Sequence, residues 1–353
     1  MKLRKLIGLL IIVLFAGCSR GHADIQNGVA RREFPLSLLA AFYRDVAWFD
    51  NNTFAIQYFL DVPEHGMPED FIKIYDLTTN TLSAPVAMPK TDATCESQWA
   101  TPKWEPAVIS RADNGNLIIV AECSGDPMGG PILLLEYDVS TGELQKLTDY
   151  NKQRVGLLHF AFTSENELIQ ESPVGHPMNN ELYKVSLVDG SVTRILPEFL
   201  RARWPSWSAK NELVAFWGTA QFPGKEPDDL YTFDDIETLV RAPWDLYVMD
   251  KDGNNPRIIY PLIANIGGLA WSPNGDWLAF GGTVDGVEGI WLLDINNPEP
   301  IRIFDHNYVF DWSPDGSKII VVENKEFDAQ NNDDPVEAFI LELPDCVFEN
   351  GCE

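Results

Sequence analysis

The chain has 353 residues, 45% of them hydrophobic, with 11 Trp and 19 Phe, and a formal net charge of −27. That much apolar and aromatic side chain can fill a large core and excludes intrinsic disorder. The negative charge works against nucleic acid and anionic lipid as partners, and favours solubility and cationic or metal-bearing ones.

At the start of the chain, Lys2, Arg4 and Lys5 precede an apolar run from Leu6 to Phe15, the pattern of a signal peptide. The run is about ten residues, roughly half of what spans a bilayer, and predicts a cleavable segment rather than a permanent membrane helix. Phe15-Ala16-Gly17-Cys18 resembles the bacterial lipobox, with Phe15 where Leu is usual. That resemblance implies cleavage after residue 17, acylation of Cys18, and a lipidated tether over residues 18–36 leading into one domain at 37–353. Because Ser19 rather than Asp follows the cysteine, it also implies the periplasmic face of an outer membrane or the cell surface. Removing residues 1–17 takes away three basic residues and no acidic ones, so the charge of −27 becomes −30.

The remainder repeats itself. The unit is clearest at Leu269 to Phe280 and at Phe310 to Val321, each an apolar strand, a tight turn and a second apolar strand. The turns Pro273-Asn274-Gly275 and Pro314-Asp315-Gly316 put Pro where φ is already negative and Gly where it must be positive. Weaker copies lie at Trp48 to Ile56, Ile109 to Val120, Phe162 to Ile169 and Trp207 to Phe216. A third and fourth strand follow each hairpin, joined by a polar turn such as Asp189-Gly190 or Asp250-Lys251-Asp252-Gly253. Anchor positions 48, 109, 162, 207, 271 and 312 are 61, 53, 45, 64 and 41 residues apart, a spacing suited to four-stranded propeller blades with long loops. The predicted fold is therefore all-β, a six-bladed propeller of antiparallel blades. Residues 31–42 are either part of a seventh blade or an N-terminal strand or short helix that completes or covers the ring.

At these turns the chain resembles the TolB-like propellers, whose blades carry a Trp-Ser-Pro-Asp-Gly turn and a later Asp-x-Asp-Gly turn. The match covers nearly all of the mature chain and is degenerate in the first three blades. The resemblance implies a role in binding a protein or peptide partner rather than catalysis.

In a four-stranded meander, the second-to-third and fourth-to-first connections share one face. The long insertions at 61–70, 124–131, 172–180, 218–243 and 324–336 all fall on it, and connections of that length are commonly functional. Their carboxylates, among them Asp228, Asp229, Asp234 and Asp235, are either a solvated fringe or a cation-attracting rim. Trp99, Trp104 and Trp204 stand before blades 2 and 4, as blade packing or as platforms for a sugar or a partner. Arg201 and Arg203 are a basic exception that either pairs with the 228–237 insertion or receives an anion. Export makes a Cys95–Cys123 disulfide and a second at Cys346–Cys352 the expected state of the paired cysteines.

Other chemistry is sparse. Asp250 to Asn255 lacks the closing Glu of a calcium loop and reads as a strand turn. His65, His176 and His306 fall on the same face but in different blades; some TolB-related pectic-fragment lyases hold a metal with propeller histidines, which makes these three weak metal candidates. In the chain that remains after cleavage there is no Gly-x-Ser-x-Gly elbow, phosphate loop or dinucleotide fingerprint, so no catalytic residue and no cofactor is assigned. The overall expectation is a monomeric, lipid-anchored binding or scaffolding module, with a carbohydrate-binding or carbohydrate-processing propeller as the alternative.

Overall fold

Each blade-forming segment carries a central strand that is apolar on both faces, such as Leu117-Ile118-Ile119-Val120-Ala121, all five of which are buried. Such a strand must be covered from both sides, which a ring of sheets packed face to face achieves. A computed structural model of the chain describes residues 28–33, 42–60, 69–89, 104–111, 115–123, 132–149, 159–164, 166–173, 180–220, 243–322 and 338–348.

The N-terminal strand β1 is Ala30–Glu33. Blade 1 comprises β2 (Phe42–Trp48), β3 (Thr53–Leu60), β4 (Glu69–Asp76) and β5 (Thr81–Leu82). Blade 2 comprises β6 (Trp104–Arg111), β7 (Leu117–Cys123), β8 (Ile132–Asp138) and β9 (Glu143–Asp149). Blade 3 is β10 (Phe160–Ser164), β11 (Glu167–Pro173), β12 (Asn180–Ser186) and β13 (Val192–Ile195). Blade 4 is β14 (Arg201–Ser208), β15 (Leu213–Thr219), β16 (Trp244–Asp250) and β17 (Arg257–Ile263), and blade 5 is β18 (Leu269–Trp271), β19 (Trp277–Val284), β20 (Val287–Asp294) and β21 (Ile301–Phe304). Blade 6 is built from β22 (Val309–Trp312), β23 (Lys318–Val322) and β24 (Ala338–Glu342), with β1 as its outermost strand. A short helix α1 (Asp345–Phe348) follows. The protein is thus an all-β, six-bladed propeller.

Six apolar clusters separate the blades, each drawn from two successive ones. Ile118 and Val120 of blade 2 meet Phe160 and Leu168 of blade 3, while the alternate residues Leu117 and Ile119 face Ala55 and Ile72 of blade 1. The last cluster closes the circle by packing Trp48, Phe54 and Ile56 of blade 1 on Ile320, Val322 and Ile340 of blade 6. Burying each such side chain contributes about 1.5–3 kcal/mol.

The repeat's Trp also carries a polar contact. The Trp271 and Trp312 indole N–H groups donate to the Ser206 and Ala270 carbonyls of the preceding inner strands, at 3.1 and 3.0 Å. Trp48 does the same to the Asp311 carbonyl across the ring closure, at 3.1 Å. In the turns, Gly275 and Gly316 both have φ of 73°, and the Ser272 and Ser313 hydroxyls accept the Trp277 and Lys318 amides at 3.0 and 2.9 Å. Asp250 likewise acts as a turn, its carboxylate accepting the Asp252 and Asn254 amides at 3.0 and 2.8 Å.

One expectation needs correcting. Residues 30–33, assigned by sequence to a tether reaching 36, belong to the propeller: Ala30 pairs with Glu342 and Glu33 with Phe339. An outermost strand faces water on its free edge and needs no apolar alternation, so Ala-Arg-Arg-Glu gave no strand signal. Arg31 secures it, its guanidinium lying 4.1 Å from the Phe304 ring centre and hydrogen-bonded to Asp305. The described strands form six blades and no seventh, and β1 is the strand that completes the ring.

Candidate functional site

The loop-bearing face is where expected: the long insertions join second to third strands in blades 1, 2, 3, 4 and 6, whereas blade 5 makes that connection with the tight turn Asp285-Gly286. At this face, where inner strands begin, a polar cluster lies between blades 3 and 4.

Its centre is Glu171, near the end of β11, with a side chain 0% exposed. One carboxylate oxygen accepts the Arg203 Nε–H at 2.7 Å and an Asn180 Nδ2–H, and the other lies 2.7 Å from His159 Nδ1 and 3.1 Å from the Trp204 amide. Burial pushes the carboxyl upward, but the His159 hydrogen bond and charge and the Arg203 charge outweigh it and hold Glu171 below the usual carboxylate range. Glu171 is therefore an ionised acceptor with every lone-pair direction in use, an organiser of its neighbours rather than a free base.

Trp204 explains why an acceptor is needed there. A bulge takes Trp204 and Pro205 out of the ladder between Arg203 and Ser206, so the Trp204 amide has no strand partner. Trp204 also holds φ at 55°, an unfavourable conformation for a bulky residue that persists only where its surroundings enforce it. The enforcing contacts are the Glu171 bond and the His159 ring, stacked on the indole at a centroid distance of 3.8 Å and 21° between planes.

Arg201, three residues before Trp204, is buried; its guanidinium lies 3.8 Å from the Trp244 ring centre and donates to Thr219 Oγ1 at 3.0 Å. Burial and the neighbouring Arg203 charge lower its pKa to about 10, so it remains a cation at neutral pH. Among the described residues of the cluster, two arginines stand beside one carboxylate.

Two further acids serve the inner strands elsewhere. Asp45 accepts the Val46 and Ile109 amides at 2.9 and 3.2 Å, and Asp311 accepts the Trp48 amide at 2.9 Å. Burial raises Asp45 to about 7, with Asp311 adding to the effect, and raises Asp311 to about 6.

Of the residues singled out by sequence, Arg201, Arg203 and Trp204 share this site. Trp104 opens β6, but its side chain is outside the described residues, as are Trp99, Asp228, Asp229, Asp234, Asp235, His65, His176, Cys18, Cys95 and Cys352. Cys346 lies in α1 with its side chain also outside them. Cys123, buried at the end of β7, is disulfide-bonded. His306 is exposed and stacks on Tyr308 at 5.3 Å, and among the described residues no three His, Cys, Asp or Glu side chains are grouped as metal ligands. Sequence reasoning missed His159, Glu171 and Asn180. A signal existed, because Glu171 stands nine residues after its anchor at 162 just as Gln57 stands nine after 48. Gln57 makes the equivalent reach to the next blade, donating to the Pro106 carbonyl at 2.8 Å.

No protein-family model matches the chain. Among solved structures it is similar to a gluconolactonase of Xanthomonas campestris, at 10% identity over 93% of this chain and 94% of that one, with a TM-score of 0.52. It is also similar to an oligogalacturonate lyase of Vibrio parahaemolyticus, at 10% identity over 90% and 98% of the two chains, with a TM-score of 0.50. A TolB candidate from Agrobacterium tumefaciens shares 17% identity over 73% and 79%, with a TM-score of 0.49. At these identities the likeness is one of fold, and that fold is the one the TolB-like turns predict.

Proposed function

We propose that this protein is an exported, lipid-anchored propeller that binds a polypeptide partner through its loop-bearing face, as a scaffolding module of the cell envelope. The observation that carries the binding role is the blade 3–4 cluster. Its carboxylate is fully committed to orienting His159, Arg203 and Trp204, so the site presents an oriented imidazole, a guanidinium and an aromatic surface on the loop-bearing face. The apolar run at Leu6 to Phe15 followed by Cys18 supports export and acylation, and Cys95 is the proposed partner of Cys123.

The direction of β1 supports a defined orientation on the membrane. Because β24 leaves the loop-bearing face and β1 runs antiparallel to it, Ala30 lies at the opposite, tight-turn face. The twelve steps from Cys18 to Ala30 reach at most about 43 Å, so an acylated Cys18 would join the propeller from its tight-turn face.

Photo-crosslinkers placed at Val188 in a tight turn and at His306 on the loop-bearing face test the reading in intact cells. A discrete protein adduct from His306 and none from Val188 is expected. Adducts from Val188 alone, or a soluble Cys18→Ser protein as firmly membrane-bound as the wild type, would refute it.

A second reading, carbohydrate binding or processing, is favoured by the Trp204–His159 stack beside two arginines, a surface suited to an acidic sugar. The names of two propellers of like fold, a lyase of oligogalacturonate and a gluconolactonase, lie in the same direction. Incubation with oligogalacturonate and product analysis by mass spectrometry tests it; sustained turnover would displace the scaffolding reading.

A further inference from the structure

Glu171 holds Arg203 and His159 by one atom each, and in both cases by the inward one. Arg203 is bound through Nε, which leaves its two terminal Nη groups without a partner among the described residues, with the side chain 32% exposed. His159 is bound through Nδ1, with the side chain 30% exposed; in its imidazolium form Nε2–H is a second donor beside the guanidinium. The parallel pair of Nη donors is the end of a guanidinium that matches the two oxygens of a carboxylate. Both rings are locked before any ligand arrives, Arg203 by the buried acid and His159 by the acid and the Trp204 stack, so little rotamer freedom remains to be lost.

We infer that Arg203 and His159, oriented by Glu171, form a carboxylate-binding fork that takes the C-terminal carboxylate of a partner polypeptide. The inference rests on the reading that the loop-bearing face binds a polypeptide. A single carboxylate on an otherwise neutral chain fits the electrostatics, because the Arg203 guanidinium on a protein of charge −27 attracts one anionic group while the surrounding surface repels a dense polyanion. Trp204 and its stacked histidine then provide the apolar wall for the preceding side chain.

Calorimetric titration of the full mature chain in detergent tests this directly. The probes are acetyl-Ala-Ala-Ala as the free acid, the same peptide as its C-terminal amide, and digalacturonate. One equivalent of the free acid is expected to bind and the amide not to. Arg203→Lys keeps the charge and removes the fork, and should weaken the acid about tenfold or more. His159→Gln, which leaves Glu171 and Arg203 in place, is the second variant and should weaken it as well. Equal binding of acid and amide, or wild-type affinity in both variants, overturns the inference. Binding of digalacturonate with neither variant-sensitive nor wild-type binding of the peptide acid overturns the polypeptide assignment. The two readings fail separately: a partner crosslinked at His306 by a protein that ignores the peptide acid removes the fork alone. Acid binding with no crosslinked partner removes the loop-bearing-face reading alone.

Discussion

Replacing Glu171 by Ala tests whether the blade 3–4 cluster is organised by a buried acceptor. The substitution strips one acceptor from four donors. Trp204 N–H and the Asn180 amide are enclosed, Asn180 being 8% exposed, and each loses its partner at about 1–3 kcal/mol. Arg203 and His159 are each about a third exposed and can turn to water, so they add less. The expected loss is about 3–5 kcal/mol, in line with removing one partner of a buried ion pair. Urea unfolding followed by tryptophan fluorescence measures it. Because the folded Glu171 binds its proton less readily than a free Glu carboxyl, whose ordinary value is 4.5, its stabilisation is present above that pH and is lost as acid protonates the folded form. The gap between wild type and Glu171→Ala should therefore narrow on acidification below about 4.5. A loss under about 1 kcal/mol, or a gap that does not change with pH, would refute the account.

Further outcomes follow from the same geometry. Trp48→Phe, Trp271→Phe and Trp312→Phe each leave an inner-strand carbonyl without its indole donor and should cost about 1–3 kcal/mol apiece by chemical denaturation; if the ring is uniformly closed, Trp48 at the seam costs as much as the other two. A chain beginning at residue 37 lacks β1 and exposes the β24 edge; it should lose roughly 2–4 kcal/mol relative to one beginning at 28, and form larger species in light scattering. Asp45 and Asp311 have folded values of about 7 and about 6 against an ordinary 3.8. The stability linked to their protonation is complete below the unfolded value and is lost as pH rises through 6 to 7, the opposite sense to Glu171. Asp45→Asn and Asp311→Asn should each flatten the decline in melting temperature between about pH 5 and pH 8.

Much of the fold was legible because propeller blades are local. The strand, Pro-Asn-Gly or Pro-Asp-Gly turn and strand of blades 5 and 6 are dictated by residues within a dozen positions, and the Gly275 and Gly316 conformations follow from the turn they occupy. Two-sided burial shows in runs such as Val214-Ala215-Phe216-Trp217. The loops could be assigned to one face because a meander alternates its connections. Polar, outward residues carried no such signal, so an N-terminal strand completing the ring was only one of the readings of residues 31–42 and the tether was drawn through to 36.

The blade 3–4 site divides along the same line. Arg201, Arg203 and Trp204 were visible as a basic and aromatic group on an acidic chain, since composition and charge are properties of neighbours in sequence. Glu171, His159 and Asn180 were not, because each is an ordinary residue until blade 3 is placed against blade 4. The sequence by itself determined the repeat, the turns and the apolar strands. Only the tertiary structure decided which strand closes the ring and which carboxylate meets the Trp204 amide, since both depend on contacts between segments that ring closure alone brings together: residue 30 with residue 342, and residue 171 with residue 204.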